Sequence, residues 1–359
     1  MSRILHPRPN PIVGAMYTLR DLDADVIIVH GPAGCGFMAS RSLEEAGVRV
    51  LTTAMSESDL IFGAAEKLEE TILQAVELFN PEIIGVVGTC SSMIIGEDLL
   101  ASIQTVGAPC IVIDVDVHAC MANNIEGVIV TMESAARAGL IDSAELERQK
   151  RVMRETTEME RSRGMASRAY LPPRRSPTKL ELAQKVLDTL AAGGRVQVLM
   201  NAKKELTYRF ADINLAVQEA ADALGGEVLH YANLDTELGL PRIRSYARNI
   251  SEELASHGIE PIITGGLDEY AAAGPRADEL SRTESNALRM VTGIPHALPT
   301  LSMDDLLVTD QPRQLANYIR QGHPWAVGEI GSHTLVMGTK SIIPSETGET
   351  IRRLLEAMA

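Results

Sequence analysis

Two cysteines in this sequence each follow a run of apolar residues and a glycine turn. Cys35 lies in the stretch 30–36 (HGPAGCG), after the apolar run 26–29, and Cys90 follows Gly88, after the run 83–87. Such runs predict buried strands, and each turn leads into a helical stretch. Because side chains at the ends of parallel strands face a crevice and not a core, both thiols are candidates for chemistry.

The stretch around Cys35 has an incomplete likeness to a phosphate-binding loop. Gly31 and Gly36 have the spacing of the first two glycines of a P-loop. Phe37 and Met38 stand where a P-loop carries Lys and Ser or Thr, so the groups that hold phosphate and magnesium are missing. The feature that needs an explanation is therefore the thiol.

The other two cysteines have different contexts. Cys110 begins an apolar strand and is predicted to be a core residue, since free cysteine is among the most commonly buried residue types. Cys120 lies in the loop after that third strand, two residues after His118, and stays a third candidate for the site.

Two chemical interpretations of Cys35 and Cys90 remain open at this point. One cysteine could be a nucleophile whose thiolate is favoured by a helix N-terminus, with His30 or His118 as its base. Alternatively, the thiolates hold iron and sulfide. A 4Fe-4S cluster usually needs four cysteines, and a homodimer with its two-fold axis between these loops would supply two Cys35 and two Cys90.

The elements that must position these residues alternate between strand and helix, which predicts the α/β class with two or three Rossmann-like parallel-sheet domains. We predict an N-terminal Rossmann-like cluster-binding domain at 1–160, a proline-rich linker at 161–178, a second Rossmann-like domain at 179–295, and a C-terminal α/β portion at 296–359 ending in a helix at 346–358. One long helix is expected from residue 56 to Phe79, with Ile61 on its buried face.

Composition restricts the partners. The formal net charge of the 359 residues is −15, which argues against nucleic acid or an anionic membrane surface as a partner. No apolar stretch is long enough to span a bilayer, and residues 1–7 lack a signal-peptide core, so we expect a cytoplasmic location. Four cysteines in such a compartment are poor candidates for disulfides.

Three motifs in order resemble the catalytic component of nitrogenase and of nitrogenase-like tetrapyrrole reductases: 30–36 (HGPAGCG), 60–63 (LIFG) and 89–98 (TCSSMIIGED). The resemblance covers the first third of the chain and implies a fold like that of nitrogenase component 1. Within that group, 5–9 (LHPRP) and 17–22 (YTLRDL) look like the catalytic components of nickel-sirohydrochlorin a,c-diamide reductive cyclase, which serves coenzyme F-430 biosynthesis in methanogens.

The resemblance implies a 4Fe-4S cluster shared between two subunits of a homodimer, with Cys35 and Cys90 as ligands and Gly34 and Gly88 beside it. Nitrogenase subunits carry a further cluster cysteine in a Gly-Cys-x-Tyr context, whereas this chain has Ala15 at that position. Alanine cannot ligate iron, so the larger nitrogenase cluster is not expected. Dinitrogen reduction is not expected either.

The resemblance also implies a partner and a substrate. The electron donor would be a separate homodimeric, ATP-dependent 4Fe-4S reductase component (CfbC-like), and ATP and magnesium would be used by that partner alone. The substrate would be nickel-sirohydrochlorin a,c-diamide, which is reduced and closed to a lactam. The helix opened by 96–98 is a candidate partner contact, with two solvated carboxylates at a helix N-terminus as the alternative.

A flat macrocycle fringed with carboxylates needs several fixed cations, and Arg suits bidentate pairing. His118 is the candidate proton donor or nickel contact. A scaffold that carries a cluster or tetrapyrrole without turnover is the non-enzymatic alternative. The candidate cations of the substrate pocket are Arg8, Arg20, Arg41, Lys203, Arg242, Arg244 and Arg248.

Overall fold

The computed structural model describes residues 10–121, 123, 125–163, 176–283, 286–331, 336 and 338–358. Arg8 and most of the predicted linker lie outside the described residues. The chain divides into two compact units, one up to Met153 with Leu240–Arg242, and the other from Arg154 to Gly239 and from Ile243 onwards. None of the described helices is both long enough and apolar enough to cross a bilayer.

The first unit is built on a parallel sheet with the strand order β2-β1-β3-β4. Its strands are β1 Val26–Val29, β2 Arg49–Thr52, β3 Ile83–Val87 and β4 Ile111–Val115. The helices along this part of the chain are α1 Pro11–Asp21, α2 Phe37–Glu45, α3 Glu57–Phe62, α4 Ala65–Phe79, α5 Cys90–Ile95, α6 Leu99–Val106, α7 Ile125–Arg137 and α8 Ser143–Ser162, the last of which continues into the second unit.

Both faces of this sheet are covered. Ile27 and Val29 pack into one apolar cluster with side chains of α1, whereas Val26 and Ile28 pack into another with side chains of α4. Burial of each such side chain stabilises the fold by about 1.5–3 kcal/mol. A strand that is buried on both faces reads as a continuous apolar run, which is why 26–29 could be predicted as a strand.

The predicted long helix from residue 56 to Phe79 is wrong. Gly63 has φ +94°, a conformation that ends α3 and separates it from α4. Ile61 therefore leaves the face on which Leu68 and Ile72 are buried, and its side chain is 74% exposed. The break turns the short helix α3 outward.

The second unit holds a larger parallel sheet with the order β10-β9-β8-β5-β6-β7. Its strands are β5 Arg195–Asn201, β6 Glu227–Ala232, β7 Ile262–Ile263, β8 Ala287–Gly293, β9 Leu306–Thr309 and β10 Ala326–Gly328. The helices along this part of the chain are α9 Pro177–Ala191, α10 Thr207–Leu224, α11 Pro241–Ser256, α12 Tyr270–Ser281, α13 Pro312–Arg320 and α14 Glu346–Met358.

The boundaries in the second half differ from the predicted ones. β9 and β10 pair with β8, so residues after 296 continue the same sheet and form no separate C-terminal portion. β8 ends at Gly293, and a 3-10 turn, Pro295–Ala297, follows it. Within 161–178, α8 runs to Ser162 and α9 begins at Pro177, capped by Ser176, so that segment is shorter than predicted.

The C-terminal helix α14 packs within the second unit, on α9 and α10. Glu329, which follows β10, is fully buried and directs its carboxylate at the first turn of this helix. One carboxylate oxygen accepts from the backbone N–H of Glu346 at 3.1 Å, and the other accepts from the backbone N–H and the hydroxyl of Thr347 at 3.0 and 2.8 Å. A buried carboxylate thus satisfies the N-terminus of the last helix.

Replacing this carboxylate should therefore weaken the second unit. Glu329→Gln places amide hydrogens against backbone N–H groups, and we expect a loss of about 1.5–3 kcal/mol, the range for hydrogen bonds to charged groups. Thermal unfolding followed by circular dichroism measures this as a lower Tm. The matched control is Glu349→Gln, an exposed acid in the same helical turn, and equal effects of the two substitutions would contradict the prediction.

Candidate functional site

The two predicted cysteines lie at the point where the strand order of the first sheet reverses. β1 is followed along the chain by β2 on one side and by β3 on the other, and Val29 and Val87 are paired at the ends of β1 and β3. Open parallel sheets bind ligands outside the carboxyl ends of strands at such a switch point. The loops that leave these two strands carry Cys35 and Cys90.

Each cysteine lies at one end of a local helical element. Cys35 ends the 3-10 turn Ala33–Cys35, and Cys90 is the first residue of α5, whose N-cap is Thr89. The backbone N–H of Thr89 donates to the Ser92 hydroxyl at 2.8 Å. Both cysteines are free thiols of intermediate exposure, so they are neither core residues nor fully solvated.

The two cysteine loops are locked to each other. The Thr89 hydroxyl donates to the carbonyl oxygen of His30 at 3.0 Å. A Cβ at Gly31 would collide with the Thr89 side chain, so the close approach requires glycine there. Of the two glycines predicted to lie at the cofactor, Gly34 has open space where a Cβ would be, and Gly88 would meet Ser92 Oγ at 3.3 Å.

The thiols also interact electrostatically. Burial raises the pKa of Cys35, and the negative charge of a Cys90 thiolate raises it further. The Cys90 sulfur accepts the backbone N–H of Ala119 at 3.3 Å. A third loop, which follows β4 and carries His118 and Cys120, therefore reaches the site.

The two histidines near these cysteines are not placed like the base of a cysteine nucleophile. His30 is fully buried, and neither of its ring nitrogens has a hydrogen-bond partner among the described residues. Burial lowers the pKa of His30, against the opposing charges of Glu97 and Asp59. The buried Nδ1 of His118 is likewise without a described partner. Neither His30 nor this nitrogen of His118 makes the hydrogen bond to a cysteine that the nucleophile interpretation requires of its base.

Glu97 is not the solvated carboxylate of the alternative interpretation. Its side chain is 7% exposed, one oxygen accepts the backbone N–H of Ala64 at 2.6 Å, and the other lies 3.8 Å from His30 Nε2. Asp98 caps α6 by accepting the backbone N–H of Ala101 at 3.0 Å. Sequence reasoning missed the role of Glu97, because its partner is 33 residues away and no local pattern marks it.

The donor set at the switch point is of the type that holds a soft metal cluster. Across the part of the chain that the structure describes, no three His, Cys, Asp or Glu side chains are grouped to hold a metal ion. The two sulfurs at the switch point are the ligand type that iron-sulfur clusters use, and they supply half of the usual four. A second copy of the chain would supply the other half.

The other two cysteines lie elsewhere in the first unit. Cys110 is partly buried against the second apolar cluster, at the amino end of β4, which is the opposite end of the sheet from the site. Burial raises the pKa of Cys110, and Asp25 adds to this effect. Cys120 is exposed in the loop that follows β4.

Three of the predicted substrate cations lie in the first unit and are engaged there. Arg20 is 1% exposed and pairs with Asp21 at 2.6 Å, so its buried guanidinium is not available to a ligand in this structure. Arg41 is exposed and pairs with Glu45 at 3.0 Å. Arg242 pairs with Asp23 at 2.8 Å.

The remaining described candidates lie in the second unit. The Lys203 ammonium lies 5.5 Å from the ring centroid of Tyr270. Nε of Arg244 is buried and has no hydrogen-bond partner among the described residues. Arg248 is exposed on α11.

Large apolar side chains are exposed on the elements that carry the cysteine site. We call these side chains the apolar face; α3 and α5, which bear most of them, pack against each other. Such exposed groups on one surface typically mark a contact with another protein. They are Phe37 on α2, Leu60, Ile61 and Phe62 on α3, and Met93 and Ile94 on α5.

Comparison with known proteins gives the class. The family model described as "Nitrogenase component 1 type Oxidoreductase" matches residues 11–166, a span that includes both cysteine loops. The nitrogenase molybdenum-iron protein alpha chain of Clostridium pasteurianum is 38% identical over 114 residues, which cover 29% of this chain and 21% of that protein. The chain is thus a nitrogenase-like enzyme component.

Relatives over nearly the whole length make the assignment more particular. The "Ni-sirohydrochlorin a,c-diamide reductive cyclase complex, component CfbD" of Methanothermobacter thermautotrophicus is 46% identical, covering 97% of this chain and 98% of that protein. The protein with the same name from Methanosarcina acetivorans is 44% identical, covering 98% of this chain and 97% of its own. The chain belongs to the CfbD family.

The electrostatic coupling of the thiols predicts their reactivity in metal-free protein. Because burial and Cys90 raise the pKa of Cys35, its thiolate is scarce at neutral pH and is gained as the pH rises through the raised pKa. Cys90→Ser removes one of these two causes, so iodoacetamide should alkylate Cys35 at a lower pH in that variant. Mass spectrometry of the Cys35 peptide over a pH series measures the shift.

The matched control for this measurement is Cys110→Ser, which removes a thiol at the other end of the same sheet. Its Cys35 alkylation profile should coincide with that of the unsubstituted protein. A Cys90→Ser profile that also coincides with it would contradict the inference that the two thiols interact.

Proposed function

We propose that this chain is the catalytic component of an ATP-dependent, nitrogenase-like reductase that acts on nickel-sirohydrochlorin a,c-diamide. In this reaction the macrocycle is reduced and an acetamide side chain closes to a lactam. The relatives that cover nearly the whole chain carry the name of that reductive cyclase complex. The observation that carries the proposal is the placement of Cys35 and Cys90 at adjacent strand ends.

The proposed cofactor is a 4Fe-4S cluster held by Cys35 and Cys90 from each of two subunits. Such a cluster accepts and releases one electron at a time. The residues of this chain set its surroundings: Thr89 fixes the two loops relative to each other, and the backbone N–H of Ala119 donates to the Cys90 sulfur. Hydrogen bonds to cluster sulfurs are among the factors that set the reduction potential. Gly34 leaves space beside Cys35.

The proposed electron donor is a separate homodimeric reductase component (CfbC-like) that binds ATP and magnesium. The chain itself has no P-loop lysine, since Phe37 follows Gly36 where that lysine would stand. The part of the apolar face on α3 suits contact with this partner, because Ile61 and Phe62 are more than two-thirds exposed on a helix that packs beside α5. Glu97 holds the chain just after α3 in place for that contact, because its carboxylate accepts the backbone N–H of Ala64.

The proposed substrate carries carboxylates that require cations. Of the predicted set, Lys203, Arg244 and Arg248 are the candidates that no described carboxylate pairs with at ion-pair distance. His118 remains the proposed proton donor, since its buried Nδ1 lacks a described partner and its loop reaches Cys90 through Ala119. A scaffold without turnover is the second candidate function, and it would bind cluster or macrocycle in the same places.

The shared cluster predicts a defined iron content. Protein purified without oxygen should be brown and contain about four irons per dimer. Cys35→Ser and Cys90→Ser should each lose this iron, because each removes two of the four ligands of the dimer. Iron analysis and the visible spectrum measure this, with Cys110→Ser as the control that keeps its iron. Retention of all iron in either site variant would exclude the proposed ligand set.

The apolar face predicts where the reductase binds. Ile61→Asp combined with Phe62→Asp places two charges on exposed positions of α3, so we expect folding and iron content to remain while ATP-dependent cluster reduction by the partner is lost. Leu78→Asp on α4, which is also well exposed, is the matched control. Sedimentation distinguishes the alternatives, since a double variant that becomes monomeric would assign α3 to the contact between two copies instead.

A further inference from the structure

The second sheet also has a switch point, and charged and titratable side chains lie in the loops that follow its strands. The strand order reverses between β5 and β8, whose ends Asn201 and Gly293 are paired. Lys203 lies two residues after the end of β5, and His296 lies three residues after the end of β8. Both side chains therefore belong to the edge at which open parallel sheets bind ligands.

A carboxylate and a phenol complete this strand-end cluster. Glu160 of α8 accepts a hydrogen bond from the Tyr270 hydroxyl at 2.9 Å, and the same carboxylate oxygen lies 3.7 Å from His296 Nε2. The Lys203 ammonium lies 5.5 Å from the Tyr270 ring centroid. The strand-end cluster thus consists of Lys203, His296, Glu160 and Tyr270.

The backbone around the cluster is fixed. Arg163 donates to the carbonyl oxygens of His296 and Leu298 at 3.2 and 2.8 Å. The Asn201 amide donates to the carbonyl oxygen of Tyr270 at 3.1 Å. Ile294 and Met159 belong to the apolar cluster around Tyr270 and exclude water from that side of the strand-end cluster. The backbone that carries His296 and Tyr270 is consequently held in place before any ligand arrives.

Burial and neighbouring charges set the state of the cluster. Burial works against ionisation of Glu160, but His296, Lys203 and Tyr270 outweigh it and hold the pKa of this carboxyl below its usual value. Burial raises the pKa of Tyr270 well above its usual range, and Glu160 contributes to the rise. The cluster at neutral pH therefore contains a carboxylate, a phenol and the Lys203 ammonium.

His296 is the member that these interactions leave unsatisfied. It is 6% exposed, yet neither ring nitrogen has a hydrogen-bond partner among the described residues. Buried polar groups are almost always hydrogen-bonded, so a ring in this position points to a group that is absent. Lys203 is only partly buried and lies on the accessible side of the cluster.

We propose that the strand-end cluster binds a carboxylate of the ligand, received by the Lys203 ammonium and by a His296 that takes up one proton on binding. With neutral His296, the positive charges of Lys203 and Arg163 balance the negative charges of Glu160 and Asp310, so an incoming carboxylate would leave the buried site negative. A proton on His296 removes that excess and lets the ring donate to the ligand and face Glu160. The inference rests on the proposed function, in which the ligand is the carboxylate-bearing macrocycle.

The proton uptake predicts how the affinity for the ligand changes with pH. Glu160 lies 3.7 Å from His296 Nε2, and the Arg163 guanidinium donates to the His296 carbonyl oxygen. Lys203 and Tyr270 act on Glu160, and Asp310 adds negative charge near Tyr270. Since the bound state holds one more proton than the free state, affinity should rise as the pH falls.

The experiment is calorimetric titration of the full-length protein with nickel-sirohydrochlorin a,c-diamide, in buffers of different ionisation enthalpy. The unsubstituted protein should take up about one proton per ligand. His296→Gln should abolish the uptake, and it and Lys203→Met should each weaken binding about tenfold, as loss of a charge-assisted hydrogen bond predicts. The controls His257→Gln and Lys185→Met, a surface histidine and a lysine that faces Trp325, should bind as the unsubstituted protein does.

A variant that is expected to keep or gain affinity separates a specific loss of binding from simple misfolding. Glu160→Gln keeps an acceptor for Tyr270 but removes the competing negative charge, so this variant should bind at least as tightly and with little proton uptake. Unchanged affinity and uptake in both His296→Gln and Lys203→Met would overturn the inference and leave the proposed function standing. Failure of the unsubstituted protein to bind the macrocycle would overturn both.

Discussion

The pairing of β1 with β3 is the constraint on which the cysteine site depends. In-register parallel strands end at the same level, so the loops after Val29 and Val87 begin side by side. The Thr89 hydroxyl then joins the two loops through the carbonyl oxygen of His30, in a space that only glycine at position 31 leaves open. The positions of the two sulfurs are thus consequences of sheet register and one buried hydrogen bond.

This arrangement brings two potential anions together, and no described cation lowers the pKa of Cys35. The pKa of Cys35 is raised because ionising a partly buried thiol beside a second thiol costs free energy. A group that carries positive metal charge removes that cost, because it binds both thiolates. Two thiolates do not satisfy four irons, however, and the described residues offer no third ligand beside them. Ligand count and charge are therefore both consistent with the proposed cluster, in which a second copy supplies the other two thiolates.

The sequence predicted what depends on local pattern. The strands 26–29 and 83–87 and both cysteine turns could be recognised because a buried parallel strand is a continuous apolar run that ends at a glycine. The break at Gly63 could not be recognised, because the apolar periodicity continues across it. The positive φ of Gly63 has no other signal in the sequence. β8 was missed because Arg289 and Thr292 interrupt its apolar pattern. Glu97 and Glu160 act on partners that are 33 and 110 residues away, and no local pattern joins such pairs.

Both units use the same topological position for different chemistry. At the first switch point the side chains are thiols, which suit soft iron and one-electron transfer. At the second they are an ammonium, a carboxylate, a phenol and an imidazole, which suit charge recognition and proton exchange and offer no soft ligand. A reductive cyclisation needs electrons, protons and a firmly held anionic substrate. In the proposed reaction, the first set of strand ends would pass on the partner's electrons and the second would hold the anionic substrate, so a change at one set of side chains need not disturb the other.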